Sequence, residues 1–244
     1  MRRGTVPPSF DHLCIVVSDV ERAVAWHERV LGATREGRGC TSIGGASFRL
    51  VEVAAGTGER SALRADEVGA CHVCVAVPDV QAAYERIRAG HVPTSTPPVE
   101  LLPGLWSVYF TDPDGIRYQF LQRGDAPALH HFAYSVSDLD RTLAWYDRVF
   151  GIAPAYRGES SGDLVSRTLE VEAGAYRVAL VPVGGVQLEL MEWRSPGAAA
   201  DRVPAGAVGD WRLGLACDAA VEPGQELLDP DGLRIQLVVC PTPD

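Results

Sequence analysis

The chain contains no lysine and no asparagine in its 244 residues, so all 22 of its basic residues are arginine. Codon bias is the simplest source of that gap. Its chemical consequence is that no side-chain amine is available for a Schiff base. Long apolar runs are missing too. No stretch reaches the ~18 residues of a membrane span, and the two arginines of the opening MRRGTVPPSFDH lead into no apolar segment, which argues against a signal peptide. Positive charge is scarce. A net charge of -10 and a pI near 5.1 argue against nucleic acid and against anionic membranes as partners. The six cysteines are too few and too scattered for a disulfide scaffold, so free thiols and a cytoplasmic location are expected. Cys71-His72-Val73-Cys74 has the CxxC form, but it lies in a strand-like run with no second pair, a poor zinc knuckle.

What is present is a core and a repeat. Apolar residues make up 46% and charged residues 22%, the balance of a folded globular chain rather than a disordered one. SDVERAVAWHERVLG from Ser18 recurs as SDLDRTLAWYDRVFG from Ser137, and DPDGIRYQ from Asp112 recurs as DPDGLRIQ from Asp229. The chain therefore reads as a tandem duplication with a boundary between Arg123 and Ala128, giving halves 1–123 and 128–244. Within the first half, FDHLCIVVSDVERAVAW from Phe10 is echoed by ACHVCVAVPDVQAAYERI from Ala70. The resulting modules span 8–60, 68–123, 128–195 and 208–240. Each of the first three opens with a strand and a helix capped by Asp19, Asp79 or Asp138. Several short strands follow. The fourth, DAAVEPGQELLDPDG after Cys217, is too short and too rich in Pro and Gly for its helix.

Strand alternation sorts the chemistry. His12, His72 and His131 occupy one strand position in three modules, each sharing a face with small residues. Val73 and Val75, or Phe132 and Tyr134, share the branched face that suits helix packing. In the last strands, Arg117, Gln119 and Leu121 oppose Tyr118 and Phe120, and Gln187, Glu189 and Met191 oppose Leu188 and Leu190. A glutamate between two leucines is costly unless it is paired or bound to a metal. His27 and His91 read as solvated, His130 as facing away from His131, and Gly44-Gly45 and Gly184-Gly185 as hairpin turns.

The HxxxxVSDxxR(A/T)xAW starts at His12 and His131, the two DPDG entries and LELMEW around Glu189 resemble the vicinal oxygen chelate superfamily, which includes glyoxalase I, methylmalonyl-CoA epimerase, bleomycin- and fosfomycin-resistance proteins and extradiol dioxygenases. The resemblance implies an α+β fold of four paired βαβββ modules forming two cup-shaped mixed sheets with helices outside. It also implies a divalent ion (Zn, Ni, Co, Mn or Fe) held by the first-strand His and last-strand Glu or Gln of two paired modules. Carried over by position, the modules offer His12 with Arg49, His72 with Gln119, His131 with Glu189, and Trp211 with Gln236. Two pairings are open. The second module with the third collects His72, Gln119, His131 and Glu189; chain order collects His12, His72 and Gln119 with Arg49 intruding. The implied activity is an isomerase, epimerase or lyase acting on a small oxygenated carbonyl compound, with Glu189 as base. The rival is a metal-free protein, monomer or homodimer, that binds an aromatic or antibiotic-like molecule, or closes a ring in it, with Arg49, Trp106, Tyr134 and Trp211 around the ligand. A dioxygenase is disfavoured, because neither half supplies two histidines and a carboxylate in chain order.

Overall fold

The computed structural model describes residues 8–54, 64–194, 206–217 and 225–239. The first module runs β1 (Ser9–Val17), α1 (Val20–Trp26, continued by a π-helical turn over His27–Leu31), β2 (Thr34–Gly37), β3 (Cys40–Ile43) and β4 (Ala46–Glu52). The second has β5 (Gly69–Val77), α2 (Val80–Ala89), β6 (Val99–Leu102), β7 (Leu105–Thr111) and β8 (Arg117–Gln122). The third has β9 (Ala128–Ser135), α3 (Leu139–Phe150), β10 (Tyr156–Ser161), α4 (Asp163–Leu169), β11 (Ala175–Val183) and β12 (Val186–Trp193). The fourth keeps β13 (Trp211–Cys217), β14 (Glu226–Leu228) and β15 (Arg234–Val239). The place of its helix, residues 218–224, lies outside the described residues.

The helix starts follow from their caps. Asp19, Asp79 and Asp138 each accept the amide three residues on, at 2.9 Å, an interaction worth about 1 kcal/mol per helix. One element was not foreseen. The short helix α4 lies between β10 and β11, and its Val165 and Leu169, one turn apart, are both buried.

Two curled mixed sheets result. The first has the order β14-β15-β13-β1-β4-β3-β2, and the second β10-β11-β12-β9-β5-β8-β7-β6. The second module therefore pairs with the third, through antiparallel β5 and β9, and the first with the fourth, through β1 and β13. Each cup takes one module from each half of the sequence. The branched strand faces (Leu13, Ile15, Val73, Val75, Phe132, Leu188) pack with the helices in one continuous apolar core. That burial is the main force holding the cups together.

The two repeated motifs clamp the modules of each half. In the DPDG turns, Asp112 Oδ1 accepts the amides of Asp114 and Ile116, and Asp229 Oδ1 accepts those of Asp231 and Leu233, all within 2.9 Å. The third residue of each turn then reaches the helix start of the neighbouring module. Asp114 Oδ1 accepts from the Ser18 hydroxyl and from Arg22, each at 2.5 Å. Asp231 accepts from the Ser137 and Thr142 hydroxyls and from Arg141.

Candidate functional site

The second cup brings four polar side chains to its floor, one from each of its central strands. β5 supplies His72, β9 His131, β8 Gln119 and β12 Glu189. The ladder fixes their relation: His72 pairs with Ala133 and Cys74 with His131, while Gln119 lies beside Cys74 and Glu189 beside Ala133. Nε2 of His72 is 3.0 Å from Nε2 of His131, and Glu189 Oε2 is 3.4 and 3.2 Å from those two nitrogens. All three residues can offer a ligand atom within 4.8 Å of the others. Both histidines and Gln119 are buried.

The separations carry chemical information. Two ligand atoms each about 2.0–2.1 Å from one ion, at angles from octahedral to tetrahedral, stand about 2.8–3.4 Å apart. The donor set is two imidazoles, a carboxylate and an amide oxygen, suited to a borderline divalent ion. The Gln119 amide is anchored by its nitrogen, which donates to Ser107 Oγ at 2.8 Å. Its Oε1 is buried and has no hydrogen-bond partner, although the side chain lies close enough to His72 to act on its titration. A buried carbonyl oxygen left without a donor costs about 1–3 kcal/mol; a cation would offset that. The residues present therefore fit a metal ion.

The electrostatics of these side chains are those of a buried ion pair between His131 and Glu189. Burial holds the His72 imidazole down to about 3, so it stays neutral. Burial also disfavours the charged forms of His131 and Glu189. The Cys74 sulfur and the Glu189 carboxylate nonetheless raise His131, and the His131 imidazolium and its hydrogen bond hold Glu189 down to about 2. Behind the site, His130 Nδ1 lies 2.8 Å from His131 Nδ1, with Cys74 alongside. That contact occupies the rear nitrogen of His131 and leaves Nε2 facing the cup. It corrects the expectation that His130 faces away: the register slips between Cys74 and Val75, where one extra β9 residue, His130, bulges and breaks the alternation. Above the floor, Val165 and Leu169 of α4 join Cys71, Tyr109, Met191 and Trp193 in a second apolar cluster that roofs the cup.

The remaining expected site residues lie elsewhere. His12 stands on β1 in the other sheet, so His12 does not join His72 and Gln119. Arg49 is half exposed on β4, 3.5 Å from Asp11. Trp106 is 39% exposed on β7. Tyr134 and Trp211 are buried in the main core, yet both touch a cleft of about 390 Å³ at the junction of the two sheets. Trp211 does not hold the histidine position of the fourth module. His12 pairs with Gly214 and Cys14 with Arg212, in the same pattern as His72 with Ala133 and Cys74 with His131, so that position belongs to Arg212. Gln236, beside Gly214, and Arg49, beside Cys14, do hold the last-strand positions. His27 is also corrected. It is buried, with Nδ1 3.0 Å from Thr41 Oγ1 and Nε2 3.0 Å from Tyr118 OH, on the inward side of its helix three residues from buried Val24 and Val30.

A family model described as Glyoxalase/Bleomycin resistance protein/Dioxygenase superfamily matches residues 9–120 and 128–224. The chain belongs to that superfamily. Among curated proteins, it is 40% identical over 75 residues to a 2-epi-5-epi-valiolone epimerase of Actinomyces sp, covering 29% of this chain and 41% of that protein. It is 34% identical over 83 residues to a probable chloroplastic lactoylglutathione lyase of Arabidopsis thaliana, covering 33% of this chain and 24% of that one. The matches thus span less than half of either relative. Glyoxalase I from Zea mays shares the fold with a TM-score of 0.69 at 16% identity, over 95% of this chain and 92% of the other. A putative dioxygenase from Bacillus subtilis does so at 0.60 and 15%, over 97% and 86%. Among the described residues, no helix is long and apolar enough to cross a membrane.

Proposed function

We propose that the second cup holds one divalent metal ion on His72, His131, Glu189 and Gln119, and that the protein is an isomerase, epimerase or lyase acting on a small oxygenated carbonyl compound. The observation that carries this reading is the convergence of two imidazoles and a carboxylate at 3.0–3.4 Å, with the orphaned Gln119 oxygen beside them. The two curated relatives, an epimerase and a lyase by name, support the reaction type and leave the substrate open.

The ion would act as a Lewis acid toward two neighbouring oxygens of the substrate. The chain's own residues supply the rest. Glu189 presents one oxygen to both imidazoles, and its second oxygen is the candidate acceptor for a proton from the substrate carbon. Gln119 contributes an oxygen without a charge. The roof of Val165, Leu169, Tyr109 and Trp193 excludes water, which strengthens each electrostatic contact below it.

Elemental analysis of protein purified without an affinity tag tests the site. About one equivalent of metal per chain is expected, lost in His72→Ala and His131→Ala and kept in His12→Ala. Metal that follows His12 instead, or no uptake from excess ion, overturns it. Proton exchange from a small α-hydroxyketone into heavy water, followed by NMR, tests the chemistry; it should require the metal and vanish in Glu189→Gln. A second reading, metal-free capture of a flat ligand, rests on Tyr134 and Trp211 sharing one cleft. Saturable quenching of tryptophan fluorescence by aromatic compounds in metal-free protein would favour it.

A further inference from the structure

The first cup repeats the strand register of the second at the four site positions, with different chemistry. Its four equivalent positions hold His12, Arg49, Arg212 and Gln236. Two of them are guanidinium groups, which carry no lone pair for a metal. The ladder places Arg49 beside Cys14 on one side and Arg212 on the other, with Arg234 next to Arg212. Directly paired residues share a face, so three arginines from β4, β13 and β15 stand in one row across the concave side. Burial raises the Cys14 thiol between them; Arg212 and Arg49 oppose that shift and Asp210 adds to it.

The charges in this row are unequally satisfied. Asp11 is shared by His12 at 2.6 Å and Arg49 at 3.5 Å. Asp210 accepts the Gly206 amide at 2.7 Å and lies 3.2 Å from Arg234 Nη2, which is not aligned for a hydrogen bond. Glu226 stands on the outer strand, paired with Gln236. Arg212 has no described carboxylate within 4.0 Å, although Asp210 lies near enough to feel its charge, and its Nε is buried without an acceptor. A buried guanidinium N–H without an acceptor is costly. The ring of His12 lies against Gly214, where a Cβ would overlap it, and Asp11 ties it to Arg49 at the end of the row.

We infer that the first cup binds a small oxyanion, a phosphate or carboxylate group, on Arg212 with Arg49 and Arg234 flanking it. Arg49 and Arg212 sit two strand spacings apart, about 10 Å between backbones, a span that two long side chains close over one anion. The planar fork of Arg212 matches two oxygens of such a group. On a chain of net charge -10, affinity for an anion has to come from this local row and not from the overall field. The inference is independent of the metal reading of the second cup.

Calorimetric titration at low ionic strength with inorganic phosphate, and separately with succinate, tests it on the full chain; the two arms tell phosphate from carboxylate. Saturable binding of at least one is expected. Removing a single guanidinium in Arg212→Met should weaken it about tenfold or more, Arg49→Gln by less, and Glu189→Gln not at all. If Arg212→Met does not fold, the half-exposed Arg49→Gln carries the comparison. Absence of saturable binding by both anions overturns the inference. So does binding that is unchanged in the arginine variants, or binding lost in Glu189→Gln, which would place the anion in the other cup.

Discussion

The two cups share one backbone plan and differ in the residues that plan displays. In the second, the ladder positions carry His72, Gln119, His131 and Glu189, and an apolar roof covers them. In the first, the matching positions carry His12, Arg49, Arg212 and Gln236. Among the described residues, no second apolar cluster covers this face. The fold therefore supplies a geometry, and the side chains at four positions decide what it can hold. The strongest way to break this contrast is to make the cups alike. Arg49→Glu combined with Arg212→His places two imidazoles, a carboxylate and an amide in the first cup. Metal content should then rise from about one to about two equivalents per chain, read by elemental analysis. A stoichiometry that stays at one would show that the register alone does not make a site.

The clamps that fix each half differ in depth, and so should their weight. Asp231 is fully buried and serves Ser137, Arg141 and Thr142; Asp114 serves Ser18 and Arg22 nearer the surface. Removing a buried carboxylate strands its donors at about 3–5 kcal/mol. Asp231→Ala should lose that much in urea unfolding, and Asp114→Ala roughly half. Equal losses would mean that the depth of the contact is immaterial here.

A smaller effect separates the cup floors. Gly214 and Ala133 occupy the same ladder position, opposite His12 and His72. A methyl group at 214 would meet the His12 ring, whereas Ala133 already carries one beside His72. Gly214→Ala should cost about 1–3 kcal/mol through overpacking, measured by the shift in urea midpoint. A neutral result would require the His12 ring to swing away.

Much of this was legible in the sequence, and the misses have physical causes. Alternation along single strands put His72 and His131 on one face and Glu189 opposite Leu188 and Leu190, and the structure keeps those faces. Which strands become neighbours is not encoded in the period of any one strand, so the sequence alone leaves the pairing of the second module with the third open. Trp211 was assigned one residue early. In the other modules the histidine lies seven residues before a helix-capping Asp, and the same count back from Asp218 lands on Trp211. Residues 218–224 lie outside the described residues, and the pairing of Cys14 with Arg212, not that count, fixes the position. His130 was misplaced because a bulge leaves no mark in the hydrophobic pattern. The helix α4 did leave one: Val165 and Leu169 stand four apart, a single turn too short to separate from a loop.

His27 offers the finest comparison, because Tyr146 holds the same place in the repeated helix of the third module. Both are buried, and only the imidazole has an ordinary pKa near neutrality. Burial lowers the His27 imidazole to about 3, while burial and nearby carboxylates raise the Tyr146 phenol well above its ordinary value. Unfolding returns His27 to a value near 6.5, so the unfolded chain binds the extra proton. Its contribution to stability is complete above pH 6.5 and is lost as pH falls toward 3, by up to about 1.4 kcal/mol per pH unit inside that window. His72 and His130 are lowered as well and act in the same direction. The informative quantity is therefore the difference between wild type and His27→Gln. Urea unfolding free energies at pH 7.5, 6 and 5 should fall less steeply in the variant, by one proton. Identical slopes would mean that the π-turn opens before the chain unfolds and lets His27 take up its proton in the folded state.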